Sequence, residues 1–149
     1  MSREYPQNPV VSAAAVILHE DCVLLIRRGQ PPAEGEWNIP GGAVELGETC
    51  RCAAQREVME ETNIAVDIQD VVDVVDKVVR DASGRIRYHY VIIDYLATVR
   101  EGSFVLHPQA SDDIIEARWV PIGQIDQFNL NPKLLEVIRK AVKMRGALT

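Results

Sequence analysis

Basic residues never cluster in this chain. Its 149 residues hold 16 Lys and Arg against 22 Asp and Glu, a net charge of −6. A broad duplex-DNA or RNA surface needs grouped cations, so nucleic acid is excluded as a partner. No apolar stretch is long enough to span a bilayer. The start, Met1 to Pro9, has no apolar core of a signal peptide. Together these absences predict a cytoplasmic protein with no membrane partner. Cysteine is scarce: Cys22, Cys50 and Cys52 are odd in number, and their spacing fits no zinc motif. All three are read as reduced thiols. Repeats, linkers and low-complexity segments are missing too, and the length suits one domain over residues 1–149.

What is present is a succession of short apolar elements. Val10 to Leu18 suits a buried strand, His19 to Asp21 a turn, and Cys22 to Arg27 the return strand of a hairpin. Gly29 to Glu36, with two Pro and two Gly, is a loop. Trp37 to Pro40 reads as one short extended piece, because the residue before Pro40 is pushed off the helical region. Thr49 is a fair N-cap for an Ala- and Glu-rich helix that ends at Asn63. Val71 to Val79 is expected as a strand with one wet edge. Asp81 to Gly84 reads as a hairpin turn, and Ile86 to Val99 as a long strand. A further strand is expected around Glu116 to Val120, and a final helix opening at Asn131-Pro132. Strands on both sides of one helix, with a second helix at the end, predict a mixed sheet covered on two faces.

Three carboxylates stand at helical spacing in that first helix: Glu57, Glu60 and Glu61. Positions i, i+3 and i+4 share a face, where like charges repel. Hard divalent cations, Mg²⁺ or Mn²⁺, take oxygen ligands and suit such a face. The plain alternative is a solvated acidic stripe. Upstream stand Gly41-Gly42, Glu45, Gly47 and Glu48. Gly42, five residues, Glu48, seven residues, Arg56-Glu57-Val58, one residue, Glu60-Glu61, one residue, Asn63-Ile64 resembles the Nudix box. Asn63 stands where that family usually has Gly. The departure is mild, since Asn is the next-best residue after Gly for a left-handed C-cap.

The resemblance implies an α/β fold, the Nudix α/β/α sandwich, and hydrolysis of a nucleoside diphosphate linked to another moiety. It implies Glu57 and Glu61 as central metal ligands, with Glu60 joining or bridging. The main chain at Gly41 completes the shell, and Glu48 serves as an outer ligand. It makes Arg56 the residue that orients a ligand glutamate, whereas helix spacing alone reads an ion pair with Glu60. The general base is expected on a late loop or strand, at Asp112, Asp113 or Glu116 with Glu116 favoured, or at Glu60 within the box. Several family members are dimers, and the first strands are candidates for such a contact.

Substrate residues are expected from neighbouring segments. One of Arg27 and Arg28 reaches a substrate phosphate or merely ends a strand in solvent. Gly41 and Gly42 let the backbone turn tightly and approach a metal or phosphate without a Cβ in the way. Trp37 lines the pocket or belongs to the core; an extended backbone would let only one of Trp37 and Asn38 face it. The stretch Arg85 to Ala97 is similar to the corresponding strand of bacterial ADP-ribose pyrophosphatase-like members. That likeness implies Tyr88, His89 and Tyr90 around adenine, the plain reading being an aromatic-rich strand. A triphosphate pyrophosphatase acting on oxidised nucleotides is the second reading. A non-catalytic nucleotide-sensing domain is the third, and the intact box acids weigh against it.

Overall fold

The computed structural model describes residues 3–31, 33–102 and 113–147. Two sheets fan apart from one hairpin. Strand β1 (Val10–His19) returns through Glu20 and Asp21 into β2 (Cys22–Arg28). The two pair only at the hairpin end, Leu18 with Val23 and His19 with Cys22. Further along the same edge, β1 pairs instead with β4 (Gly41–Ala43), from Ser12 to Ala14. Its other edge runs parallel to β6 (Ile86–Val99), which pairs antiparallel with the long edge strand β5 (Val66–Arg80). The order β4-β1-β6-β5 makes a mixed sheet. Strand β2 forms a second, antiparallel sheet with β3 (Trp37–Asn38) and β7 (Ile114–Pro121).

The pleat of β1 explains why its apolar run is unbroken. Successive side chains point to opposite faces, and both faces are covered. Ala13, Ala15 and Ile17 pack in the clusters that hold Ala53, Ala54 and Val58 of helix α1 (Cys50–Thr62). Ala14, Val16 and Leu18 pack with Val137, Ile138 and Ala141 of helix α2 (Pro132–Ala147). The expected mixed sheet with a helix on each face is therefore the observed architecture.

Both ends of α1 follow from local chemistry. The Thr49 hydroxyl accepts from the Cys52 amide at 3.1 Å. Asn63 adopts φ 60°, ψ 27° and donates its amide to the Met59 carbonyl at 2.9 Å. A short polar side chain tolerates that left-handed turn. Among the other elements, Ile86–Val99 matches its expected bounds, and Pro121 passes into a 3₁₀ turn over Ile122–Phe128. At α2, the Asn131 side chain accepts from the Lys133 amide at 2.9 Å.

Three expectations need correction. Strand β5 begins at Val66, earlier than Val71, because its first residues pair with Ala97 to Val99. Of the Trp37–Pro40 piece only Trp37–Asn38 is strand (β3), and the strand that follows Pro40, β4, carries no apolar pattern to betray it. Finally, Gly41 and Gly42 make no tight turn: they lie extended in β4, and neither has positive φ. Their need is space. A Cβ on Gly41 would stand 2.5 Å from Ala14 Cβ and 2.7 Å from the Ala13 carbonyl oxygen. One on Gly42 would stand 2.5 Å from Glu57 Oε1.

Candidate active site

Strand β4 threads between β1 and α1, and that narrow passage builds the site. Its closeness to the helix brings the Gly41 amide to Glu61, whose Oε1 accepts from it at 2.7 Å. Glu61 is only 8% exposed. Burial pushes its carboxyl up to about 8, the negative charge of Glu57 adds to the rise, and the Gly41 amide partly offsets it. Glu57 is also raised by burial, although the Arg56 guanidinium pulls the other way.

Arg56 spends its whole fork on this corner. Nε and Nη2 grip Glu48 at 2.7 and 3.0 Å, and Nη2 also donates to the Ala43 carbonyl at 3.1 Å. Nη1 donates to Glu57 at 2.9 Å and to Glu60 at 3.2 Å. The planar fork suits such multidentate contact. It draws Glu48 below the usual carboxylate range. So the helix ion pair with Glu60 exists, and Arg56 also steadies Glu57 and the segment before α1.

The three box glutamates do not share one environment. Glu57 and Glu61, one turn apart, border the cleft. Glu60 lies on the flank with its side chain 57% exposed, and Glu48 is turned toward Arg56 away from the cleft. No three His, Cys, Asp or Glu side chains among the described residues converge closely enough to hold a metal by themselves. What fits a hard cation is narrower: two carboxylates, both pushed up by burial, beside the main chain of β4 at Gly41 and Gly42. A cation there would relieve charge repulsion and desolvation at once.

The cleft has a volume of about 900 Å³, near the upper end of small-molecule sites, roughly 300–1,000 Å³. Sheet geometry decides which residues reach it. On β6 the alternate residues Tyr88, Tyr90, Ile92 and Asp94 face it. The rings of Tyr88 and Tyr90 stack at 6.2 Å. His89, expected beside them, is not on the cleft wall, because the pleat turns it to the opposite face. On β2, Arg28 borders the cleft whereas Arg27 donates to the Gly35 carbonyl at 3.1 Å and holds the loop. Both Trp37 and Asn38 border the cleft, contrary to the expectation of one, since a two-residue edge strand does not divide it. Trp37 also meets Phe128 edge-on, at 5.2 Å.

Of the expected general bases, Asp113 borders the cleft and accepts the Gly29 amide through its carbonyl at 2.9 Å. Glu116 does not reach it; its carboxylate is held by Arg118 on the same strand. Asp112 lies outside the described residues.

Lys77 and Asp94 are among the cleft residues that escaped the sequence reading. Lys77 of β5, opposite Tyr90, is half-buried and lowered by burial and by the charge of Arg28. Asp94 is buried on β6. The only signal for either was a charged residue within a β-branched run.

Comparison with known proteins agrees with this geometry. The NUDIX domain model matches residues 8–141. Over 121 residues the chain is 30% identical to an ADP-ribose pyrophosphatase of Methanocaldococcus jannaschii, covering 81% of this chain and 67% of that protein. It is 30% identical over 111 residues to the human 8-oxo-dGDP phosphatase NUDT18, covering 74% of this chain but 32% of that protein. A MutT NUDIX hydrolase from Burkholderia pseudomallei superposes with a TM-score of 0.73 at 29% identity, over 90% of this chain and 98% of that one. The NUDIX domain of Shewanella oneidensis NrtR, solved with ADP ribose, shares the fold at a TM-score of 0.71 and 24% identity, over 96% of this chain and 90% of that one. No helix among the described residues is long and apolar enough to cross a membrane. With the box at its spacing, its carboxylates around β4 and a family match over most of its length, the chain belongs to the Nudix hydrolase family.

Proposed function

We propose that this chain hydrolyses a phosphoanhydride bond in a nucleoside diphosphate derivative with a divalent cation, Mg²⁺ or Mn²⁺, and that ADP-ribose is the substrate. The observation that carries the reading is the pair Glu57, half-buried, and Glu61, buried, both raised and bordering a large cleft. Nudix hydrolases generally use divalent metals, and these two carboxylates are the groups that would hold one, with the main chain at Gly41. When bound, such a cation neutralises diphosphate charge and lowers the pKa of a coordinated water.

The chain's own residues do the rest. Arg56 fixes the rotamer of Glu57 and keeps the Ala43–Glu48 segment against the helix. Gly41 fixes Glu61. Arg28, on the cleft wall with Lys77 near it, offers positive charge to the phosphates. Asp113 is the favoured acceptor for the proton of the attacking water, because it is the late acid that borders the cleft. In the reaction a water oxygen bonds to phosphorus, the bridging P–O bond breaks, and AMP and ribose 5-phosphate leave. Adenine as the base is supported by the name of the Methanocaldococcus jannaschii relative.

A second reading, removal of oxidised nucleotides, is favoured by the relatives named 8-oxo-dGDP phosphatase. The two differ in product. Incubation with Mg²⁺ or Mn²⁺ and a panel of ADP-ribose, sugar nucleotides, and normal and oxidised dNDPs and dNTPs separates them. AMP with ribose 5-phosphate, formed well above the other rates, supports the first. Preferential turnover of the oxidised nucleotides moves the assignment to the second. No turnover in a folded protein that binds metal would favour a nucleotide-sensing domain.

A further inference from the structure

Asp94 is the least explained group in the molecule. It is 5% exposed and borders the cleft. No hydrogen bond joins its side chain to any described residue, yet among the described residues no fully buried side-chain N or O atom is left unpaired. Its carboxyl therefore keeps contact with the cleft space. A buried carboxyl without a partner is costly.

Its position follows from strand register. Gly41 pairs with Ala14, Ala14 with Asp94, and Asp94 with Asp73, so the four form one row across the sheet. Two strand spacings separate Gly41 from Asp94, about 10 Å. That is the scale of a nucleoside. On the face of Asp94 the cleft-lining Ile92, Leu134 and Val137 belong to the apolar cluster under α2, and Lys133 is the cation among them. Asp73 is engaged by Lys133 at 3.1 Å.

The ligand group that fits is constrained. A phosphate would meet the Asp94 carboxyl, and the neighbouring cation, Lys133, is already engaged by Asp73 and Glu136. A metal would find no third acid, since Asp73 is already paired. A flat heterocycle needs apolar faces and one polar group at its edge, which is what this end provides. We propose that Asp94 is the base-reading group of the cleft: its carboxyl, in the neutral form, takes the amine-bearing edge of adenine, accepting from the exocyclic amine and donating to the adjacent ring nitrogen. The identity of the base rests on the ADP-ribose reading; the role of Asp94 does not require turnover.

The electrostatics agree. Burial and the charge of Asp73 on β5 push Asp94 up to about 7, and Lys133 on α2 pulls it down. Its β1 neighbour in the row, Ala14, is uncharged. Near neutral pH a large share of the carboxyl is therefore the acid, with one donor and one acceptor.

The test compares AMP with ribose 5-phosphate, which carries the same phosphate and sugar but no base. Calorimetric titration with Mg²⁺ present gives the affinity ratio of the two. Asp94→Ala should weaken AMP about tenfold or more while ribose 5-phosphate stays within about twofold. Asp94→Asn keeps one donor and one acceptor and should hold AMP within about threefold of wild type. In the wild type the ratio should fall as pH rises from 6 to 8.5, and the phosphate titration, common to both ligands, cancels from it. In Asp94→Asn it should be flat. This pH arm needs no alanine variant, so a folding defect there does not block the test. A wild type that does not bind AMP, equal losses for both ligands in Asp94→Ala, no rescue by Asn, or a pH-independent wild-type ratio would each overturn the proposal. Hydrolysis of ADP-ribose is scored separately by its products, so either reading is able to fail alone.

Discussion

Glu61→Gln separates burial from metal binding in one variant. The glutamine keeps the size of the side chain and an oxygen to accept the Gly41 amide, now 2.7 Å from Glu61. It removes the buried charge. In the metal-free wild type the carboxyl is raised from 4.5 to about 8, chiefly by burial. The sign follows directly. A carboxyl raised on folding costs nothing below its unfolded pKa, and stability is lost as pH climbs from there to the folded pKa. At about 1.4 kcal/mol per pH unit, the ceiling of that loss is roughly 5 kcal/mol. Relaxation and the high effective dielectric of real interiors bring it to about 1–3 kcal/mol. Thermal unfolding at pH 6 to 9 in EDTA measures it. Wild-type stability should decline across that range with a steeper slope than Glu61→Gln, and the variant should be the more stable protein at pH 9. Added Mn²⁺ should raise the wild-type midpoint by mass action and leave the variant nearly unmoved. A variant that is less stable than wild type at pH 9 in EDTA, or equally stabilised by Mn²⁺, would refute the reasoning.

The two glycines of β4 should respond differently to one added methyl. Gly41→Ala meets Ala13 and Ala14 of a packed strand and should cost about 1–3 kcal/mol, read by urea denaturation. Gly42→Ala meets the end of the Glu57 side chain, which is able to rotate away; stability should change by less than about 1 kcal/mol while activity falls at least about tenfold. Arg56→Lys keeps the charge but loses the fork, so turnover should drop and the midpoint fall by about 1–2 kcal/mol equivalent, since Glu48, Glu57 and Ala43 lose contacts one ammonium is unable to replace. Asn63→Gly should be neutral or slightly stabilising in thermal unfolding, because Gly takes φ 60° more readily.

Much of the fold was legible because its determinants are local. Thr49 and Asn63 mark the ends of α1, and the apolar run of β1 announces a strand covered on both faces. The grouping of Glu57 and Glu61 at the cleft with Arg56 beside them was legible, because a fixed motif carries it. What remained hidden depends on register. Nothing in the sequence tells that β4 squeezes past Ala14, that Glu60 turns outward, or that His89 faces away from the cleft while Asp94 faces into it. Glu116 looked like a base by position, yet a neighbour two residues on, Arg118, claims its carboxylate. Such outcomes are set by cross-strand partners far away in the chain.

The central claim is metal-dependent cleavage at Glu57 and Glu61. Its most direct measurement is the product analysis of ADP-ribose incubated with Mg²⁺ or Mn²⁺, for wild type, Glu57→Gln and Glu61→Gln, with EDTA as the control. AMP and ribose 5-phosphate from the wild type, abolished by EDTA and reduced at least about a hundredfold in both folded variants, is the predicted result. Undiminished cleavage by a folded Glu61→Gln protein would contradict it.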